Sequence, residues 1–268
     1  MKKMMLFFVL LAFSYSCEDV IDVDLNEGAP RLVIDARILK EIDTTSALTI
    51  VTLSRTNAFF DTGIDFVNDA EVKIISSNEI VYALENNGDG IYTTNSITPM
   101  PGETYKLEVN YNNEIYSATE SLFTVTPLEY VEQENDGGFS GDDIELKAYF
   151  NDPEDIENYY LFEGFSEKGD LQNVLDDEFF DGNEIFGFFL AEDLAAGDTV
   201  TFYLNGVSKQ YYNYMFILLQ QSSDQGAGPF ETQPATVRGN IVNETNAENY
   251  PLGYFRISEI SILNYTVQ

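Results

Sequence analysis

From Pro30 onward the chain reads as a succession of short apolar and polar alternations separated by turn residues. "RLVIDARIL" (31–39) mixes strong β formers with polar positions. "ALTIVTLSRT" (47–56) alternates through Leu48 and Ile50 and then, after a shift, through Val51 and Leu53. "AEVKIISS" (70–77) alternates through Val72 and Ile74, and "IVYALENN" (80–87) runs into the turn "NNGDG". "GIYTT" (90–94) follows. In 99–122 Tyr105, Leu107 and Val109 share a face, and Asn112–Asn113 has the chemistry of a hairpin turn. Strands of this length, with turn signals about every eight to twelve residues, predict an antiparallel β-sandwich.

"TPLEYVEQENDGGFSGDD" (126–143) interrupts the pattern with a proline, glycines and acids, the composition of a boundary or a long surface loop. Strands resume with "IELKAYFND" (144–152) and "NYYLFEGFSE" (158–167), and Thr199–Leu204 follows the turn "AAGD". "KQYYNYMFILLQQSS" (209–223) changes period: Tyr211, Tyr214, Met215, Leu218 and Leu219 recur at helical spacing, so one helix is expected near 209–221. Core packing accounts for its aromatic stripe better than a ligand box does. "GAGP" ends it, and "ATVRGNIVNE" and "LGYFRISEISILNYTV" return to strand. No fixed repeat runs through the chain, which disfavours a solenoid or propeller. The expectation is a mainly β protein: an immunoglobulin-like β-sandwich over 31–126, without that fold's cysteine pair, then a second β-rich domain over 127–268 carrying the helix.

The first thirty residues follow another logic. Lys2 and Lys3 precede the apolar run Met4–Phe13, which is too short to cross a bilayer, and small Ser14 and Ser16 follow. Residues 1–16 therefore read as a signal peptide. The single cysteine, Cys17, stands directly behind it, where a bacterial lipoprotein carries its lipidated residue. Ser14 occupies the place where leucine is usual, which the looser Bacteroidetes pattern tolerates. An incidental free thiol after ordinary cleavage is the plainer alternative. Each buried methylene contributes roughly 0.8 kcal/mol, so more than one acyl chain would anchor stably. The acids from Glu18 and Asp19 onward make residues 17–30 an acidic tether.

Composition narrows the chemistry. There is no histidine and one cysteine, which removes ordinary zinc, copper and haem sites and any Ser-His-Asp or Cys-His machinery. Forty-six acids against 13 bases give a net charge of −33, which repels nucleic acid. That charge keeps an extracellular protein dispersed; its functional alternative is attraction of Ca²⁺ or a basic partner. Acidic pairs such as Asp142–Asp143 and Glu192–Asp193 carry no accompanying glycosidase signature, and so many acids produce pairs by chance. "DDEFFDGNEIFG" (176–187) fails the EF-hand spacing, because Phe179 and Phe188 fall on ligand positions. A loop-built calcium site remains, with Asp176, Asp177 and Asp181 as first candidates. No other cofactor is expected. Phe59–Phe60 and Phe179–Phe180 lie in polar loops, where paired aromatics either contact a ligand or partner or fold back over the core.

In order along the chain, "SCEDVIDVDL", "RLVIDARI", "NDAEVKI", "GDGIYTT…PGETYKLEV", "NDPEDIENYYLF", "DDEFFDGNE", "GDTVTFYLNGVSKQYYNYMFILLQQ", "PATVRGNI" and "LGYFRIS" resemble the DUF4249 family of Bacteroidetes lipoproteins. The resemblance spans nearly the whole mature chain. It implies an outer-membrane lipoprotein facing the cell exterior, with Glu18 and Asp19 as an export signal. It also implies genes beside TonB-dependent receptors, and so a non-catalytic binding accessory in nutrient uptake. The family has no catalytic residues to carry over. A structural or adhesive surface protein is the first rival, and a carboxylate-based hydrolase the second. If Cys17 is the anchor, Cys17→Ser should move the protein from the membrane pellet to the soluble fraction; a variant that still pellets excludes the anchor.

Overall fold

The computed structural model describes residues 28–58, 61–138, 141, 143–222 and 236–268. Cys17, Glu18, Asp19, Phe59 and Phe60 lie outside them. The chain is mainly β with one α-helix among the described residues, as its pattern predicts. Among the described residues seventeen strands and the helix form two sandwich-like units that share a strand.

In the first unit, β1 (Leu32–Glu41), β2 (Ala47–Arg55), β3 (Asp65–Phe66), β6 (Glu85–Asn86) and β7 (Ile91–Thr94) form one sheet. It faces β4 (Glu71–Ser76), β5 (Val81–Ala83), β8 (Thr104–Tyr111) and β9 (Glu114–Phe123). Alternation does the sorting: Ile34, Ala36 and Ile38 of β1 meet Ile74, Leu107 and Val109 across a dry core. The β8–β9 hairpin turns at Asn112–Asn113, both in the left-handed region (φ 51° and 62°), and Tyr111 pairs with Glu114 on either side.

In the second unit, β10 (Leu128–Gly137), β11 (Asp143–Asn151) and β14 (Glu184–Leu190) form a three-stranded sheet. It packs on β12 (Tyr159–Ser166), β13 (Gly169–Asp176) and β15 (Thr199–Gly206) through Phe150, Tyr160, Phe162, Phe189 and Phe202. The helix, α1 (Lys209–Ser222), starts where Ser208 caps it, its Oγ accepting from Tyr211 N at 3.1 Å. Tyr211 and Met215 are buried against Leu161, Val174 and Tyr254, as core packing of the stripe requires; Leu218, by contrast, is exposed. A short strand, β16 (Val242–Asn243), then pairs with β9.

The last strand, β17 (Leu252–Thr266), joins the units. Its first part runs parallel to β1, from Val33↔Leu252 to Glu41↔Ile260, and its last part antiparallel to β15, from Asn205↔Ile260 to Thr199↔Thr266. Phe255 and Ile257 enter the first core, and Leu263, Tyr265 and Val267 lie at the second. These five share one parity, so both cores lie on the same side of β17. Between them the same side carries polar residues: Glu259 pairs with Lys40 (2.7 Å) and accepts from Val125 N, and Ser261 Oγ accepts from Leu128 N at 2.8 Å. Residues 241, 255 and 257, which the sequence reading placed within 127–268, therefore pack in the first core. β1, the partner that brings 255 and 257 there, is more than two hundred positions away in sequence, and β9, the partner of β16 beside 241, is more than one hundred away, both beyond the reach of local patterns.

Gly253 lets β17 lie this close to β1. Its φ is +97°, and a Cβ there would stand 2.1 Å from Ile34 O. Gly197 has the same φ with open space around it. Gly197→Ala should therefore cost about 1 kcal/mol, and Gly253→Ala about 3 kcal/mol or more, in urea unfolding. Equal costs would mean that the close approach to β1 contributes nothing.

Candidate functional site

β12 and β13 form a hairpin whose open end, Tyr159↔Asp176, leads into two loops. One connects β11 to β12; the other turns from β13 into β14. The second is a tight turn: Phe180 N and Asp181 N both donate to Asp177 O, and Gly182 adopts φ +70°. The first turn of α1 closes the third side. Together they enclose a cavity of about 750 Å³, in which Asp155, Glu157, Asp176, Asp177, Glu178 and Asp181 face Lys209.

Two carboxylates here are buried, Asp152 at 5% and Asp177 at 7% exposure. Oxygens of Asp152, Asp177 and exposed Asp181 lie within 4.8 Å of one another. Each is held by the fold. Asp152 accepts from Tyr160 OH (2.5 Å) and Gly182 N (3.3 Å), Asp177 from Asn158 N (2.6 Å), and Asp181 from Asp155 N (2.8 Å). Burial pushes the Asp152 carboxyl above its ordinary range; Tyr160 and Gly182 oppose the shift, and the charges of Asp177 and Asp181 add to it. Burial, and then Asp152, raise the Tyr160 phenol well above its usual value.

The outer rim is more conventional. Lys209 Nζ donates to Glu157 Oε1 at 2.8 Å, which lowers the Glu157 carboxyl and raises the ammonium. Tyr212 OH donates to Asp176 Oδ2 at 2.6 Å; burial and this bond push the phenol up to about 12.

Of the three expected metal ligands, then, Asp177 and Asp181 come together, and Asp176 turns away to Tyr212. The third member, Asp152, was missed. Its signal was "NDPED": an acid held extended at a strand end by the following proline. The donor set, all carboxylate oxygen, suits a hard cation such as calcium. Yet four of the six oxygens already accept hydrogen bonds: Asp177 and Asp181 tie the 155–158 loop to the 177–182 turn, and Asp152 ties the end of β11 to Tyr160 and to Gly182 of that turn. Phe179 is 82% exposed and Phe180 45%, so Phe179 does not fold back over the core. Glu192 and Asp193 do not line the cavity, and Asp142 lies outside the described residues.

A second surface escaped the sequence reading. On the solvent face of the three-stranded sheet Tyr130 stacks on Tyr149 (4.8 Å, 9°), and Tyr149 meets Phe186 at 5.2 Å. The three sit on neighbouring strands in register, a cross-strand row that stabilises the sheet and leaves Tyr130 and Phe186 each 39% exposed.

Residues 18–261 match the model of DUF4249, a domain of unknown function. The chain belongs to the DUF4249 family. No curated protein matches it. Similar solved structures include a two-domain fibronectin type III segment of chicken tenascin (12% identity, TM-score 0.22, covering 66% of this chain and 90% of that one). A cytokine receptor complex (8%, 0.25, 88% and 95%) and the FN1–FN3 domains of chicken CNTN1 (10%, 0.21, 67% and 62%) are others. At these scores the likenesses add nothing to the fold seen directly in this DUF4249 chain.

The raised Asp152 carboxyl fixes the sign of a pH test. A carboxyl raised in the folded state favours folding while protonated, and that contribution is lost as pH rises through the raised value. The acids of the cluster therefore repel at neutral pH. Asp181→Asn keeps an acceptor for Asp155 N and removes one charge. In chelator-containing buffer it should add about 0.5 kcal/mol of stability at pH 7, and the gain should fade toward pH 4 in melting curves.

Proposed function

We propose that this DUF4249 protein is a lipid-anchored outer-membrane protein that binds a cationic ligand or the basic surface of a partner, as a non-catalytic accessory to a TonB-dependent transporter. The acidic cavity between the β12–β13 hairpin end and α1 carries the reading. Six carboxylates surround one lysine there, and that lysine is already paired with Glu157. Low-dielectric walls focus such a field and attract positive charge over several ångströms. Phe179, exposed on the rim turn, supplies apolar contact beside the charge. Acyl chains on Cys17, exposed by removal of the signal peptide, would hold this surface at the membrane, and the acidic tether would keep the body clear of anionic headgroups.

The carboxylates nearest one another each hold loop backbone through a hydrogen bond. That arrangement serves a rigid binding surface better than it serves a hydrolase, whose acid and base must exchange protons with substrate. Native detergent extraction of the tagged full-length protein tests the reading. An outer-membrane receptor should co-purify, and charge reversal by Asp176→Lys and Glu178→Lys should release it. Recovery of the protein alone, with cell–cell or matrix attachment intact, would favour the adhesive alternative.

A further inference from the structure

Away from the acidic cavity, the common sheet carries a site of the opposite charge. Arg37 of β1 lies opposite Arg256 of β17 in the parallel register. Their neighbours Ala36, Ile38, Phe255 and Ile257 fill the first core, so both arginines project from the other face of the sheet. Like charges placed opposite one another destabilise a sheet, and this pairing occurs in a chain where acids outnumber bases 46 to 13.

The two guanidinium groups are treated differently. Arg256 is 6% exposed; its Nη1 donates to Asn205 Oδ1 and Ser258 Oγ, both at 3.0 Å, and its guanidinium stands 5.4 Å from the Tyr211 ring. Asn205 Nδ2 in turn donates to Glu163 Oε2 at 3.1 Å, so a buried carboxylate compensates this charge through the amide. The other Glu163 oxygen accepts from Gln172 Nε2 at 2.7 Å, so both oxygens of that carboxylate are held. Arg37 has no such arrangement. Its Nε is buried without a hydrogen-bond partner, and among the described residues it enters no ion pair. A buried donor left unmade is costly, and a guanidinium presents a planar fork that matches a carboxylate.

Both arginines line a cavity of about 910 Å³ on this face, where the two units meet. Leu39, Leu48, Phe165, Tyr203, Ile260 and Ile262 form an apolar part of its wall, beside the polar Thr44, Ser46 and Asn95. Leu48 is 46% exposed and Phe165 36%, so the wall is open to an incoming molecule. An apolar concavity with a few converging polar groups is the usual form of a small-molecule site. Glu41 and Glu163 also line the cavity, Glu163 held by Asn205 and Gln172, and Asp35 lies two residues before Arg37; none is paired with Arg37, and all disfavour a ligand of high negative charge.

We propose that this cavity binds a small monocarboxylate with an apolar body. The carboxylate bonds Arg37, Arg256 supplies a second positive charge behind it, and the apolar body lies along Leu48, Phe165 and Ile262. The experiment uses full-length lipoprotein in detergent, with a protein-free micelle blank, and two probes of nearly identical shape: 3-phenylpropionate and neutral 3-phenylpropanamide. Calorimetry should show saturable binding of the carboxylate, at least tenfold weaker binding of the amide, and at least tenfold loss for Arg37→Gln. Leu48→Glu, at an exposed position, should also remove binding. Without ligand, Arg37→Gln should melt at the same temperature as the native chain or above it, since it removes an unpaired charge beside Arg256. Failure of the carboxylate to bind, equal binding of the two probes, or unchanged affinity in Arg37→Gln would overturn the proposal. A fall of several degrees in the melting temperature of Arg37→Gln would also overturn it, because Arg37 would then serve the fold.

Discussion

The hydrogen-bond ladder along β17 is the constraint on which the rest of the structure depends. Every backbone donor and acceptor of a buried strand needs a partner, and β17 is buried on both faces from Tyr254 to Ser258. It finds partners in β1, in β9 at Ile257↔Leu122 and Ser258↔Phe123, and in β15; the β1 and β15 ladders overlap at Ile260, the residue paired with both Glu41 and Asn205. Because alternation runs through this exchange without a register shift, odd positions feed both cores, and even positions build a single rear face. The polar pair Glu259 and Ser261 sits where the cores part and binds the backbone of the connecting segment at Val125 and Leu128. Two sandwiches thereby share a wall instead of hanging on a flexible linker, and their relative placement follows from strand pairing.

Charge is managed differently at the surface and on that rear face. Most cations of the described chain meet an acid directly: Arg55 with Asp65, Lys73 with Glu108, and Lys147 with both Glu134 and Glu145. Such pairs are worth little to stability individually, but they disperse positive charge among a large excess of acids. Arg31 and Arg238 take another course, standing 3.7 and 3.6 Å from the Tyr250 ring. Arg31 also donates to the carbonyls of Glu248 and Tyr250, so this contact fastens the entry to β1 onto the entry to β17. Against this background a buried Arg37 nitrogen without a partner is a departure that the fold alone does not explain.

What was legible in the sequence was local. The Asn112–Asn113 hairpin declared itself because two consecutive left-handed residues favour asparagine. The helix declared itself because Tyr211 and Met215 keep a period that no strand shares. The division of the chain was only half legible. The stretch 126–143, which reads as a boundary or a surface loop, is mostly the strand β10, with Leu128 in the second core, and the return of Phe255 and Ile257 to the first core depends on a parallel pairing with β1 that leaves no local mark. The acid cluster shows the same limit. Asp177 and Asp181 are neighbours in one turn and were found together, whereas Asp152 reaches them from the end of β11 through contacts with Tyr160 and Gly182. Asp176, adjacent in sequence to Asp177 and lining the same cavity, stays out of the cluster because it ends β13 and is held by the Tyr212 hydroxyl.

The helix ties the two cavities to the same scaffold. Consecutive residues of its first turn face different sites: Tyr211 packs on Tyr254 and over Arg256, and Tyr212 bonds Asp176 on the wall of the acidic cavity. Ser208, which caps that turn, lies 3.4 Å from the Tyr254 hydroxyl. The helix is therefore positioned by the even face of β17 at its start and by the β12–β13 hairpin along its side, where Leu161 and Val174 pack against it. A shift of the first turn large enough to widen the acidic cavity would have to slide Tyr211 across Tyr254, a buried edge-to-face contact at 4.9 Å. Close packing of that kind resists continuous deformation, so the shape of the acidic cavity is set by the strand that also carries Arg256.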